Sequence, residues 1–286
     1  MNTRLWLGFA IVTTLFWGAW GALIELPEKA GFPATLGYSV WAVTMVPCAF
    51  VALKVAGRKL EWDTRSLFLG SIAGFLGAGG QLILFEALRL GPAYLVFPII
   101  SLYPVVTVFL SIACLKERAG RRAAIGIVLA LIAVVLLSYQ SPRASPARGW
   151  AWLLPAAAVF FMWGVQAFVL KYSNRTMRAE SIFFYMTATA LLLIPVAVWM
   201  TDFSQVINWG FKGPYLAALV QVLNSIGALC LVYALRYGKA IVVVPMTSLA
   251  PVLTIILSLV LYGIIPHVIL ITGMVFAGVA IYILAE

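Results

Sequence analysis

Gln221, Asn224 and Ser225 stand at i, i+3 and i+4 in an otherwise apolar stretch, so one helical face carries two amides and a hydroxyl. Polar groups in such a setting either bind a ligand or glue one helix to another, and both readings stay open. A second set is aromatic. Trp17 and Trp20 share a face, as do Tyr38 and Trp41, and Trp163 and Gln166. Indoles far from the ends of an apolar stretch can wall a cavity for apolar, aromatic or cationic groups, or they can simply pack. Trp6, Trp62, Trp150 and Trp209 lie instead where interfacial anchors belong. Gln81, Ser101, Tyr103 and Ser248 complete the candidate lining of a substrate cavity.

Other reactive side chains are sparse. Glu86 is the one carboxylate well inside an apolar stretch, and Arg89 follows at i+3, which suits a local ion pair better than an ion-coupling site. His267 is the sole histidine, and Cys48, Cys114 and Cys230 show no paired spacing, so neither a metal site nor a disulfide framework is implied. There is no Gly-rich phosphate loop followed by Lys and no nucleophile–base arrangement. The sequence therefore predicts no catalytic residues and no cofactor.

The elements that would position these groups are membrane helices. The 286 residues are 64% hydrophobic and 10% charged, with a mean hydropathy of +1.07, too apolar to cover a soluble globule of this size. Apolar runs near 5–25, 36–57, 66–88, 92–115, 121–140, 149–171, 181–201, 213–236, 240–262 and 265–285 approach the length that crosses about 30 Å of hydrocarbon. The predicted fold class is an all-α integral membrane protein with ten transmembrane helices. Its net charge of +10 lies between the spans, which speaks for membrane orientation rather than a nucleic-acid partner. With the N-terminus cytoplasmic, the inner segments hold 14 Lys and Arg and the outer ones 5, so both termini are expected inside. The first span follows Arg4 as a signal peptide would, yet no small-residue cleavage site precedes Glu25, and it is read as a retained helix.

A shift of 147 residues lays the chain on itself. Fourteen of the 25 positions from 87 to 111 are identical to their partners, including Pro98/Pro245, Ser101/Ser248, Pro104/Pro251 and Thr107/Thr254. The same shift pairs Tyr38 with Tyr185, Gly80 with Gly227 and Gly126 with Gly273, while Trp17 meets Trp163 at a shift of 146. The organisation expected is a first five-helix repeat (1–140), a Pro/Ser-rich linker (141–148) and a second five-helix repeat (149–286). Five spans is an odd number, so the second copy must be inverted, and inverted repeats commonly build carriers with a midplane substrate site. Gly74, Gly77 and Ala78 stand opposite Gln221, Asn224 and Ser225, so one half offers hydrogen bonds where the other offers close approach. Pro98, Pro104, Pro245 and Pro251 would free carbonyls and bend the fourth and ninth spans, which marks them as candidate hinges.

The run Ala87-Leu88-Arg89-Leu90-Gly91-Pro92-Ala93, with Pro98, Ser101-Leu102-Tyr103-Pro104 and Lys116-Glu117-Arg118, resembles the EamA-type members of the drug/metabolite transporter superfamily. The second copy matches from Ala234 to Pro251 but has Gly263-Ile264-Ile265 where the first has Lys116-Glu117-Arg118. The resemblance covers both halves and implies secondary transport of amino acids or similar small metabolites across a bacterial inner membrane, outward, by alternating access. The amino-acid exporter group called YddG is the nearest group, though no residue singles it out. Nothing acidic accompanies Trp17, which argues against the proton exchange that depends on a first-helix glutamate. Efflux of aromatic or cationic compounds is the alternative within transport, and a lipid-modifying membrane enzyme the alternative outside it. The partners expected are a small-molecule substrate and the bilayer, with a monomer sufficient.

Overall fold

In the computed structural model, which describes residues 5–57, 59–139, 150–263 and 265–285, every regular element is helical. The first half holds α1 (Leu5–Leu23), α2 (Glu25–Lys29), α3 (Ala34–Ala56), α4 (Thr64–Leu90), α5 (Ala93–Ser101), α6 (Tyr103–Leu115) and α7 (Arg121–Leu137). The second holds α8 (Leu153–Ser173), α9 (Ala179–Leu192), α10 (Ile194–Trp199), α11 (Leu216–Tyr237), α12 (Ala240–Thr247), α13 (Pro251–Tyr262) and α14 (Val268–Ala285), with a π-helical turn at Phe211–Tyr215 leading into α11. The predicted linker, Arg4 and Arg58 lie outside the described residues.

Nine helical runs among the described residues are long and apolar enough to cross a membrane, against the ten expected. The stretch missing from that set is α7, whose 17 residues rise about 26 Å at 1.5 Å each. It reaches Leu137 and not the expected 140.

The four prolines fall into two pairs. Pro104 and Pro251 do not kink continuous helices: they sit in the first turns of α6 and α13, where a missing N–H costs nothing. The fourth span breaks at Leu102 and the ninth across Ser248–Ala250, where amides of Leu102 and Leu249 reach back only three residues, to Ile99 O and Met246 O. Pro98 and Pro245 lie inside α5 and α12. A further break at Leu193, with Pro195 opening α10, divides the seventh span.

Packing between the halves is reciprocal. α1 packs on α11 as α8 packs on α4, α1 packs on α13 as α8 packs on α6, and α7 lies along α14. Glycines make this possible, because helices in lipid are drawn together by close van der Waals contact and not by hydrophobic exclusion. Gly227 faces the Trp17 ring and Gly80 the Trp163 ring; Gly18 meets Leu253 and Gly164 meets Val106. Thr254 donates to Gly18 O at 2.9 Å and Thr107 to Gly164 O at 2.8 Å. Contacts that exchange roles in this way are the pattern of an isologous interface.

The two ends of the bundle differ. At one, Arg178 donates to Lys59 O, Arg175 to Leu115 O, Arg236 to Met177 O and Lys239 to Arg118 O, gathering the basic connections into a charged end. At the other, Asn208 donates to Ala30 O and Trp152 covers Gly91. Towards the charged end α12 packs on α6, and seven of its residues are buried. Towards the opposite end α5 and α13 pack on one another far less than α12 and α6 do, and α13 buries none of its described residues. The bundle is thus closely packed between α6 and α12 and only sparsely packed between α5 and α13.

Candidate functional site

The paired tryptophans are held by the third helix of the other half. Trp17 donates its indole N–H to Asn224 O at 3.4 Å, and Trp163 donates to Gly77 O at 3.3 Å, the repeat-equivalent carbonyl. The pyrrole side of each ring abuts a glycine three residues further on, where an added Cβ would stand 2.6 Å from the indole. Both indoles are half-buried, which leaves part of each ring available to a neighbour.

The polar face on α11 is shared out. Trp20 donates to Gln221 Oε1 at 3.0 Å, and Gln221 Nε2 donates to Gly37 O at 3.2 Å, so this amide ties α1 to α3. Ser225 is bonded to Thr44 at 3.0 Å. Asn224 is half-buried and contributes its backbone carbonyl to Trp17. The close approach expected at the facing glycines is realised: the Gln166 amide fills the space beside Gly77, and Thr189 fills that beside Gly74.

At the helix breaks, Tyr103 and Ser248 are hydrogen-bonded at 2.9 Å across the two halves, and Tyr103 meets Trp163 edge-on with centroids 6.1 Å apart. The mirror contact cannot form, because Ala250 stands where Tyr103 would be, and Ser101 instead donates to Pro98 O at 2.9 Å. Trp17, Trp20, Gln221 and Asn224 are therefore brought together on one side, and Tyr103, Trp163, Gln166 and Ser248 on the other. Gln81 is half-buried on α4, next to Gly80. Tyr38 is enclosed at 2% exposure and donates to Ala190 O on α9 at 3.1 Å. A surface depression of about 420 Å³ at the opposite end, lined by Glu28, Phe32 and Gln205 among others, includes none of the predicted lining residues.

Glu86 and Arg89 form the local pair expected, Oε2 to Nε at 2.7 Å and largely exposed on the guanidinium side. His267 lies tilted against Tyr139, with ring centroids 4.9 Å apart, and accepts from the Ile269 amide at 3.3 Å at the start of α14. Two groups escaped sequence reasoning. The Trp41 indole N–H and the Ser39 hydroxyl are buried with no hydrogen-bond partner among the described residues. Glu117 and Lys171 lie in a buried cluster at the charged end, 3.9 Å apart. Lys116-Glu117 was visible as a charged break between spans, but its partners are more than 50 residues away.

The candidate lining thus gathers indoles, amides and hydroxyls. Comparisons with known proteins give the chain a family. The EamA-like transporter family matches residues 4–139 and again 150–285. An uncharacterized protein of Methanocaldococcus jannaschii is 33% identical over 141 residues, 49% of this chain and 100% of that one. An "Uncharacterized transporter" of Archaeoglobus fulgidus is 24% identical over 187 residues, 63% of each chain. A crystal structure with 20% identity superposes with a TM-score of 0.77 over 96% of this chain and 97% of its own, a likeness of fold. The family model thus matches each half of the chain separately, repeating the division that the 147-residue shift makes, and the chain belongs to the EamA-like transporter family, within the drug/metabolite transporter superfamily.

Proposed function

We propose that this protein is a secondary carrier of amino acids or similarly sized amphiphilic metabolites, working outward by alternating access. In this reading α7 counts as the fifth of ten spans, and two inverted five-helix repeats place both termini and the charged end in the cytoplasm of a bacterial cell. The observation that carries it is the contrast along the fourth and ninth spans: close packing between α6 and α12, sparse packing between α5 and α13. A two-fold-related scaffold with unlike ends is what a carrier caught on one side of its cycle presents. The substrate would sit at the helix breaks, between Trp17 and Trp163, with its polar end toward Gln221 and Asn224 and its bulky end toward Tyr103. Trp20, Gln81, Ser101, Gln166 and Ser248 complete the lining, and Tyr38 supports it from behind.

Purified protein in liposomes, loaded and challenged with a panel of amino acids and organic cations, tests the reading. Saturable counterflow of an amino acid supports it. Counterflow of organic cations alone would shift the assignment to efflux of cationic compounds, which the indole and phenol rings favour through cation–π attraction. No saturable flux of any member, in protein that elutes as a single species, would refute it.

A further inference from the structure

Helix α6 ends in an uncommon way. Lys116 has φ of +56°, the one non-glycine residue with positive φ among those described, and its repeat partner Gly263 has +65°. Both helices use the same left-handed ending, but only the second half supplies the residue for which it is free of steric cost. Strain of this kind persists where the surroundings hold it, and here the neighbouring residue is firmly held. Glu117 is 8% exposed. Its Oε2 accepts from the Ile241 amide at 3.1 Å, in the first turn of α12, and its Oε1 lies 3.9 Å from Lys171 Nζ. Lys171, at the end of α8, donates to Leu235 O at 2.9 Å and also to Gly238 O, the carbonyls that close α11.

A carboxylate thus rests on a helix N-terminus and an ammonium on a helix C-terminus, each the charge that the helix dipole favours. Together they clamp the α11–α12 connection of the second half to the end of α6 in the first. The repeat-equivalent positions lack both groups. Ile264 replaces Glu117 under the 147-residue shift, and Glu25 replaces Lys171 under the shift that pairs the tryptophans. Glu25 pairs with Lys29, four residues on, at the surface. The Tyr103–Ser248 bond, also without a mirror, joins the two halves at the helix breaks.

We infer that Glu117 and Lys171 form a latch that holds the charged end of the carrier shut, so that the empty protein rests with the opposite end open. The inference rests on the reading of this chain as an alternating-access carrier with two gates. Opening the charged end must draw α11 and α12 away from α6 and from α8, which packs on α6; that strips the carboxylate from the Ile241 amide and the ammonium from the α11 carbonyls. Binding energy from substrate at the helix breaks would have to offset that loss, so the latch would keep the carrier from opening inward unoccupied.

The test is a distance. Spin labels at Arg118→Cys and Tyr237→Cys, with Cys48, Cys114 and Cys230 replaced by Ala, report the separation of the two halves at the charged end in lipid nanodiscs without substrate. The parent should give one short distribution. Glu117→Gln and Lys171→Met should each raise the long-distance population about tenfold, the factor equal to one lost charge-assisted bond of about 1.4 kcal/mol. The double variant should do little more than either single one, because both break the same device. Lys116→Gly relieves the strained turn and should lower the long-distance population, a variant expected to fold at least as well as the parent. Glu180→Gln, which disturbs a carboxylate bonded to Tyr233 within the second half, should leave the distance unchanged. Unchanged distances in both single variants, a rise in Lys116→Gly, or an equal rise in Glu180→Gln would overturn the latch. The readout needs no substrate, so a flux panel with no transported solute would remove the transport reading and leave the distances standing. Active flux with unmoved distances would remove the latch alone.

Discussion

Adding a single methyl group at Gly80 tests whether the tryptophan–glycine contacts build the scaffold. A Cβ there would stand 2.6 Å from Trp163 Nε1 and 2.8 Å from Cδ1, so the indole must retreat by nearly 1 Å and release the Gly77 carbonyl. Overpacking costs about 1–3 kcal/mol and the lost hydrogen bond about 1 kcal/mol, against about 1 kcal/mol returned by replacing glycine with alanine in a helix. The net destabilisation expected of Gly80→Ala is about 1–3 kcal/mol. Gly8→Ala is the control, since nothing lies within 4 Å of its added Cβ, and it should be neutral or stabilising. Trp163→Phe removes the indole nitrogen from the clash and should rescue Gly80→Ala, with a coupling of at least about 1 kcal/mol in the double-mutant cycle. Gly227→Ala with Trp17→Phe is the mirror cycle, from a clash of 2.6 Å and 2.7 Å, and should give the same sign. The assay is reversible unfolding in detergent followed by far-UV circular dichroism. Additivity within about 0.5 kcal/mol in both cycles, or Gly80→Ala behaving as Gly8→Ala does, would refute the reasoning.

Trp163→Ala should depress flux in liposomes far more than Trp150→Ala, whose ring is 79% exposed; equal losses at equal expression would remove the tryptophan-walled site. Reporter fusions after Pro142 and at the C-terminus should fall on opposite sides of the membrane, and a shared side would end the five-plus-five scheme. Pro104→Ala or Pro251→Ala restores an N–H at the start of α6 or α13 and should let the two segments anneal into one helix, slowing exchange while sparing affinity. Unchanged flux in both would mark these breaks as static.

The repeat and its limits were legible because Gly, Pro, Ser and Trp are read by position and not by hydropathy. Gly80/Gly227 and Trp17/Trp163 could be paired from the sequence, and the structure puts each glycine under the other half's indole. Which face each helix turns inward was less legible. In a membrane both the lipid face and the core face are apolar, so the amphipathic contrast that orients helices in water is missing. Tyr38 shows the consequence: its spacing from Trp41 shares a face with it, yet its hydroxyl is spent on Ala190 O. Pro104 and Pro251 were visible as interruptions, but a proline kinks a helix or begins one depending on whether the preceding turn closes, which the neighbours decide. Glu117 was hidden for another reason. Its partner is the first turn of a helix 124 residues away, a relation with no local spacing to betray it.

The differences between the halves fall where a symmetric carrier would need them. Packing positions match: Gly18 with Gly164, Thr107 with Thr254, Gly126 with Gly273. In the proposed alternating-access cycle the halves would trade conformations, so each of these contacts would have to be possible in both. The mismatches lie elsewhere. Under the 147-residue shift Tyr103 aligns with Ala250, Gln221 with Gly74 and Glu117 with Ile264; Tyr103, Gln221 and Glu117 stand at the helix breaks, on the polar face of α11 and at the charged end. Two identical halves would give states of equal energy and a site with two equal ends, able to favour neither a side nor an orientation of its ligand. Under the proposed reading each replacement would remove one of those degeneracies: the amide against glycine would distinguish the ends of a substrate, and the tyrosine and glutamate contacts, each made on one side only, would lower one closed state relative to its mirror.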